Sequence, residues 1–266
     1  WDVASGQEVR NLVAHGSSVR DVSFNPDGDQ FATVGRDGLV KIWNTANGHE
    51  IETLKGHGSD GLGVYWSPKG TRIASCSLDK TVKIWDTSTG KELVSLSGHT
   101  NYVNHVFWSP DGTKLASSSP DKTVRVWSVS NGKELYILRG CVGPCWSPDS
   151  RKIVCYGVDA SVNVTDGESG EPLQTLTGHV GTTGSAVYSP DGTKIASGSS
   201  DNTVWVWDVK TGMPIYTFWG HRSAPKLIRF SPDGKRIVSG GGDGTIKVWD
   251  LRSVENTSSP TAKSLP

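Results

Sequence analysis

The sequence carries no surplus of charge: 27 Lys and Arg residues are matched by 27 Asp and Glu. Nucleic-acid binders usually show a basic excess, and binders of acidic substrates a patch of one sign, so no nucleic-acid partner is indicated. No apolar run approaches the roughly eighteen residues needed to cross a membrane, and no secretory or lipidation signal is present, so no membrane partner is expected. Cysteine is scarce, with Cys76, Cys141, Cys145 and Cys155 in a chain of 266 residues. That is too few for a disulfide scaffold and points to a reducing compartment: the cytoplasm, with the nucleus as the alternative. Three of the cysteines fall between 141 and 155, but their spacing matches no zinc pattern. They read as small buried apolar residues, and no metal or other cofactor is expected.

What the chain has in quantity is tryptophan, 11 residues, with 32 glycines and 13 prolines spread along its length. Trp1, Trp43, Trp85 and Trp127 are 42 residues apart, as are Trp207 and Trp249. Between Trp127 and Trp207 lie two periods less four residues, and Thr165-Asp166 stands where Trp-Asp is due. A turn keeps the same period: Asn25-Pro26-Asp27-Gly28, Ser67-Pro68-Lys69-Gly70, Ser109-Pro110-Asp111-Gly112, Ser147-Pro148-Asp149-Ser150, Ser189-Pro190-Asp191-Gly192 and Ser231-Pro232-Asp233-Gly234. Proline presets φ for the turn, and the closing glycine accepts a left-handed backbone. Short alternating runs such as Thr123-Val124-Arg125-Val126-Trp127 read as strands, four to a repeat. That pattern fits radial blades rather than a sandwich.

The Gly-His near the start of four of the repeats, the Ser-Pro-Asp-Gly turn, the Asp ahead of the third strand and the closing Trp-Asp resemble the WD-repeat (WD40) family over residues 1 to about 252. The resemblance implies an all-β fold, a β-propeller of four-stranded blades with six complete WD repeats. The repeats are expected at about 15–55, 56–97, 98–139, 140–177, 178–219 and 220–252, after an outer strand (strand d) within 1–14. Residues 253–266, rich in Ser, Thr and Pro, read as a flexible tail. Trp1-Asp2 has no upstream His, Ser or Asp to pair with, so the parent is expected to have seven or more blades. In the family the last blade often takes its outer strand from the N-terminal segment, a part that residues 7–13 fit here.

The resemblance also implies a hydrogen-bonded tetrad in five blades. Its members are His15, Thr33, Asp37 and Trp43; His57, Ser75, Asp79 and Trp85; His99, Ser117, Asp121 and Trp127; His179, Ser197, Asp201 and Trp207; and His221, Ser239, Asp243 and Trp249. The chemistry stands without the family: imidazole donates to the carboxylate and accepts from the hydroxyl, which accepts from indole N–H. A catalytic triad is the competing reading, but five copies ending on an indole donor leave no free nucleophile. Repeat four breaks the pattern: its His is missing, Cys155 and Thr165 replace Ser and Trp, and only Asp159 remains.

No Gly-x-Ser-x-Gly, phosphate loop or His-Glu-x-x-His occurs, so the expected function is a protein-interaction scaffold and not an enzyme. Two finer readings compete with a general scaffold. Trp249-Asp250-Leu251-Arg252 resembles a motif of cullin-type ubiquitin ligase receptors, with Arg252 alone informative. The close likeness of residues 71–86, 113–128 and 193–208 resembles that of sensor ends of signalling proteins that carry an upstream nucleotidase domain. The family places top-face contacts three and five residues after the His and one before the tetrad Asp. Carried over, these include Arg20, Arg36, Asp60, Leu62, Leu78, Tyr102, Asn104 and Lys226. They suggest a protein or peptide partner with an acidic or phosphorylated segment at repeat one and an apolar part over repeats two and three.

Overall fold

Strands form where β-branched residues alternate with small or polar ones, and the middle strands are buried on both faces. Val82, Ile84, Val124, Val126, Val204 and Val206 are all within 1% of complete burial, as expected of sheets packed between two neighbours. The structure is a computed structural model that describes residues 1–157 and 159–252, so the expected tail lies outside the described residues. The chain divides into two compact units, residues 1–144 and residues from 145 onward.

The first unit holds three antiparallel sheets in chain order. Blade one is β1 (Val19–Phe24), β2 (Gln30–Gly35), β3 (Val40–Asn44) and β4 (Glu50–Leu54). Blade two is β5 (Gly61–Trp66), β6 (Arg72–Ser77), β7 (Thr81–Asp86) and β8 (Glu92–Ser97). Blade three is β9 (His105–Trp108), β10 (Lys114–Ser119), β11 (Thr123–Ser128) and β12 (Glu134–Arg139). Val64, Trp66 and Ile73 of blade two fill a core with Ala32, Val34, Val40, Ile42 and Leu54 of blade one. Val106, Trp108 and Leu115 of blade three repeat the contact on Ala74, Val82 and Ile84. Each such large side chain contributes about 1.5–3 kcal/mol on burial.

In the second unit, β13 (Cys141–Trp146), which begins just ahead of the boundary, leads the sheet of blade four. It is followed by β14 (Lys152–Gly157), β15 (Val162–Asp166) and β16 (Pro172–Leu176). Blade five is β17 (Thr183–Tyr188), β18 (Lys194–Ser199), β19 (Thr203–Asp208) and β20 (Pro214–Trp219). Among the described residues blade six has three strands, β21 (Pro225–Phe230), β22 (Arg236–Gly241) and β23 (Ile246–Asp250). Ile228 and Ile237 of blade six bury Ala196, Val204 and Val206 of blade five.

The Ser-Pro-Asp-Gly turns are closed by their own side chains. Ser109 Oγ donates to Asp111 at 2.6 Å and accepts the Lys114 amide at 2.9 Å, while Gly112 takes φ +73°. Between the second and third strands the residue after the Asp is also left-handed. Gly38 and Gly244 meet this freely, but Lys80, Lys122, Ala160 and Asn202 hold φ between 66° and 72° against the cost of a Cβ.

Residues 1–18 contain no strand, so the outer strand expected within 1–14 is not paired. The physical reason is local: nothing in the first unit offers it a third strand to pair with. The segment is nonetheless held. The Arg10 guanidinium donates to the Ala46 and Asn47 carbonyls, each at 2.7 Å. A Cβ on Gly48 would lie 2.5 Å from Arg10 Cδ and 3.0 Å from a Leu12 methyl.

Candidate functional site

Folding each repeat back on itself brings four side chains together from loop, second strand, turn and third strand. In blade two, His57 Nδ1 donates to Asp79 at 2.9 Å, Ser75 Oγ donates to His57 Nε2 at 2.8 Å, and Trp85 Nε1 donates to Ser75 Oγ at 2.8 Å. The indole can only donate, which fixes the direction of the whole chain of bonds. The same bonds join His15, Thr33, Asp37 and Trp43 in blade one, and His99, Ser117, Asp121 and Trp127 in blade three. Blades five and six repeat them with His179, Ser197, Asp201 and Trp207, and with His221, Ser239, Asp243 and Trp249. The histidine side chains are at most 1% exposed.

The sequence reading missed a fifth member. Thr81, Thr123, Thr203 and Thr245 donate to the tetrad carboxylates at 2.5 to 2.7 Å. The signal was legible as a recurring Asp-x-Thr. Burial pushes the Asp121 carboxyl up, but hydrogen bonds from Thr123, His99 and the Thr100 amide outweigh it and bring it down to about 2. Burial holds the His99 and His179 imidazoles below the ordinary histidine range, against the pull of Asp121 and Asp201. A hydroxyl engaged by indole on one side and imidazole on the other is not a free nucleophile; the network fastens each sheet to its own loops.

Blade four is built differently. Asp159 accepts from Ser161 Oγ at 2.6 Å instead of from a histidine. Thr165 Oγ1 reaches only the Ile153 carbonyl, at 3.5 Å. The reading of its cysteines as small apolar thiols is corrected: Cys141 and Cys155 are disulfide-bonded, while Cys76 and Cys145 are free. This removes the ground for expecting a reducing compartment, since spacing alone cannot tell which thiols a fold brings together. No helix among the described residues is long and apolar enough to cross a membrane.

The candidate contact residues of the first unit are partly brought together. Arg36 Nε donates to Asp60 at 3.0 Å, and Arg20 Nη2 lies 3.9 Å from the same oxygen. Their side chains are 54% and 42% exposed. Leu78 and Tyr102 are exposed at 38% and 37%, whereas Leu62 packs against the core shared by blades two and three. Asn104 is half-buried, and its Oδ1 has no hydrogen-bond partner. Lys226 is exposed on β21 of the second unit. Val158, the one position the pattern offers in repeat four, lies outside the described residues. Arg252 is drawn onto Asp250, with Nε donating at 2.9 Å and Nη2 engaging the other oxygen.

Two inner-strand residues were not foreseen. Asp21 Oδ2 accepts the Val64 amide at 3.1 Å, and Ser23 Oγ accepts that of Trp66 at 3.4 Å. They cover an edge of β5 that would otherwise be open.

A family model described as WD domain, G-beta repeat matches residues 6–44, 48–86, 90–128, 170–208 and 212–250. No match covers residues 129–169, which hold the first three strands of blade four, where the network is missing. The comparison with curated proteins finds no match.

Proposed function

The chain belongs to the WD-repeat family, whose repeats generally serve as protein–protein interaction scaffolds, and we propose that it grips an acidic or phosphorylated segment of a partner protein at repeat one. The supporting observation is the pair of exposed guanidinium groups sharing Asp60. Arg36 commits only its Nε to that carboxylate. The rest of its planar fork is open to a phosphate or a second carboxylate, which it can meet with two parallel bonds. Leu78 and Tyr102 supply exposed apolar anchors in repeats two and three. The ligase-receptor reading gains nothing comparable, because the Arg252 guanidinium is already engaged by Asp250.

The test is an array of acidic and phosphoserine peptides, followed by titration of the best binder in increasing salt. Replacing Arg20 and Arg36 together by Glu should weaken binding at least tenfold and flatten its salt dependence, with the thermal midpoint unchanged. Asp60→Ala, which frees both guanidinium groups, should tighten it. Equal affinity for the double variant and the parent chain would remove the site from repeat one.

A further inference from the structure

Every inner strand ends on an aromatic residue: Phe24, Trp66, Trp108, Trp146, Tyr188 and Phe230. Three of the six are tryptophans, and the Trp108 indole reaches the blade before it, donating to the Tyr65 carbonyl at 3.0 Å. In blade five a tyrosine stands at that position. It lies beside the place where the proline turns of blades four and five meet, since a Cβ on Gly192 would be 3.4 Å from Pro148 Cδ. A cavity of about 150 Å³ opens there, lined wholly by residues of the second unit. Phe230 is smaller again, and the equivalent cavity between blades five and six measures about 470 Å³.

The smaller cavity has a polar floor and a charged mouth. Tyr188 is only 7% exposed, whereas Asp149 and Asp191 are exposed at the rim, and Pro148 and Val209 give apolar walls. The Tyr188 hydroxyl is buried without a hydrogen-bond partner among the described residues. Buried polar groups are as a rule met, so the floor is a place for a polar atom. Burial, with Cys145 and Asp149 nearby, pushes the Tyr188 pKa up, so the hydroxyl is neutral at ordinary pH.

The two carboxylates cap their own turns through one oxygen each. Asp149 Oδ1 accepts from Ser147 Oγ at 2.6 Å and the Arg151 amide at 3.1 Å. Asp191 Oδ1 accepts from Ser189 Oγ at 2.6 Å and from the Thr193 amide and hydroxyl at 2.9 Å. Neither Oδ2 accepts a hydrogen bond among the described residues, and the half-buried Lys152 makes no ion pair among them. Two carboxylates against one ammonium leave the cavity an excess of negative charge. The larger cavity differs, because Lys194, Lys235 and Arg252 outnumber Asp191 and Asp233 there.

We propose that the cavity between blades four and five takes an arginine side chain of a partner protein. The guanidinium lies between the Oδ2 atoms of Asp149 and Asp191, and the Tyr188 hydroxyl accepts one of its N–H groups. A guanidinium carries five donors in one plane and can serve three acceptors together, and it sheds water more readily than an ammonium. Its methylene stem lies along Pro148 and Val209, and Lys152, on a flexible stem, is the charge it displaces. The site is independent of repeat one and selects the opposite charge.

The probe is N-acetyl-arginine methylamide, titrated into the full chain and followed by amide chemical shifts. The Gly192 and Val209 amides should shift saturably, with a dissociation constant in the millimolar range. Asp149→Asn with Asp191→Asn keeps both turn caps and should weaken binding about fivefold, as expected for losing partly exposed ion pairs. Lys152→Gln should tighten it. Tyr188→Trp, which installs the residue of blades two to four, should block the cavity and abolish binding while circular dichroism stays that of the parent. The citrulline analogue, equal in shape but neutral, should not bind. Equal binding of the citrulline or lysine analogue overturns the proposal, as does unchanged binding by Tyr188→Trp. Free arginine binding more tightly than the blocked form also overturns it, by showing a pocket for a small molecule.

Discussion

Ser75→Ala tests the tetrad at its hub. Ser75 is fully buried, and its Oγ both accepts from Trp85, 1% exposed, and donates to His57. Removing one oxygen strands two polar groups, the indole N–H and the imidazole Nε2, where no water reaches them. Each orphan costs about 1–3 kcal/mol, so a loss of about 3 kcal/mol is expected, with little added by the small change in volume. For a unit of this size that is a fall in melting temperature of about 6–12 °C. Trp85→Phe removes one of the orphans in advance. The double variant should therefore be less destabilised than the sum of the singles by about 1–3 kcal/mol. Urea and thermal unfolding followed by circular dichroism measure both quantities, and affinity for an array-selected peptide should hardly move in the folded variant. A loss below about 0.5 kcal/mol, or strict additivity of the pair, would show that the hydroxyl is not the buried link drawn here.

Two further outcomes follow from groups already described. The imidazoles of His99 and His179 lie below the ordinary histidine value of 6.5. The unfolded chain therefore takes up protons first, and stability should fall as pH drops from 7 toward 5.5. The Asp121 contribution, complete above the unfolded carboxylate range, should then be lost as pH falls through about 2; a urea midpoint that is level or rising between pH 7 and 5.5 would contradict the first part. Ala160→Gly relieves a left-handed φ of 68° at a position that Gly38 and Gly244 occupy elsewhere. Relief of about 1–2 kcal/mol less the entropy cost of glycine leaves a gain of about 0.5–1 kcal/mol, readable as a higher melting temperature.

The blades were legible because their signals are local. Ser-Pro-Asp-Gly fixes one turn, Asp-x-Thr another, and alternating β-branched residues fix the strands between them, so the strand boundaries follow from a few residues each. The tetrad was legible for a different reason: four polar residue types at constant offsets in buried surroundings have few ways to satisfy one another. What the sequence hid depends on approach between distant segments. The Asp60 carboxylate meets Arg36 from the next blade, 24 residues away, and no periodicity announces it. The disulfide-bonded state of Cys141 and Cys155 depends on how a shortened repeat closes, which spacing leaves open. Residues 7–13 carry the pattern of an outer strand, but pattern alone does not supply the strand it should pair with.

The likeness of blades two, three and five bears on how the chain finds its fold. Their third strands read Thr-Val-Lys-Ile-Trp, Thr-Val-Arg-Val-Trp and Thr-Val-Trp-Val-Trp. β6 would therefore accept β11 almost as readily as its own β7. Connection length discriminates between them: the correct pairing closes a three-residue turn, residues 78–80, and the wrong one a 45-residue loop, residues 78–122. Loop-closure entropy makes that difference worth about 2 kcal/mol, a modest margin against kinetic mispairing. β15 of blade four is not interchangeable in this way. Its Thr165 would leave the hydroxyl of any other blade without an indole donor. An irregular repeat in mid-chain thus interrupts a run of interchangeable strands, and shortens the list of wrong partners each of them can meet.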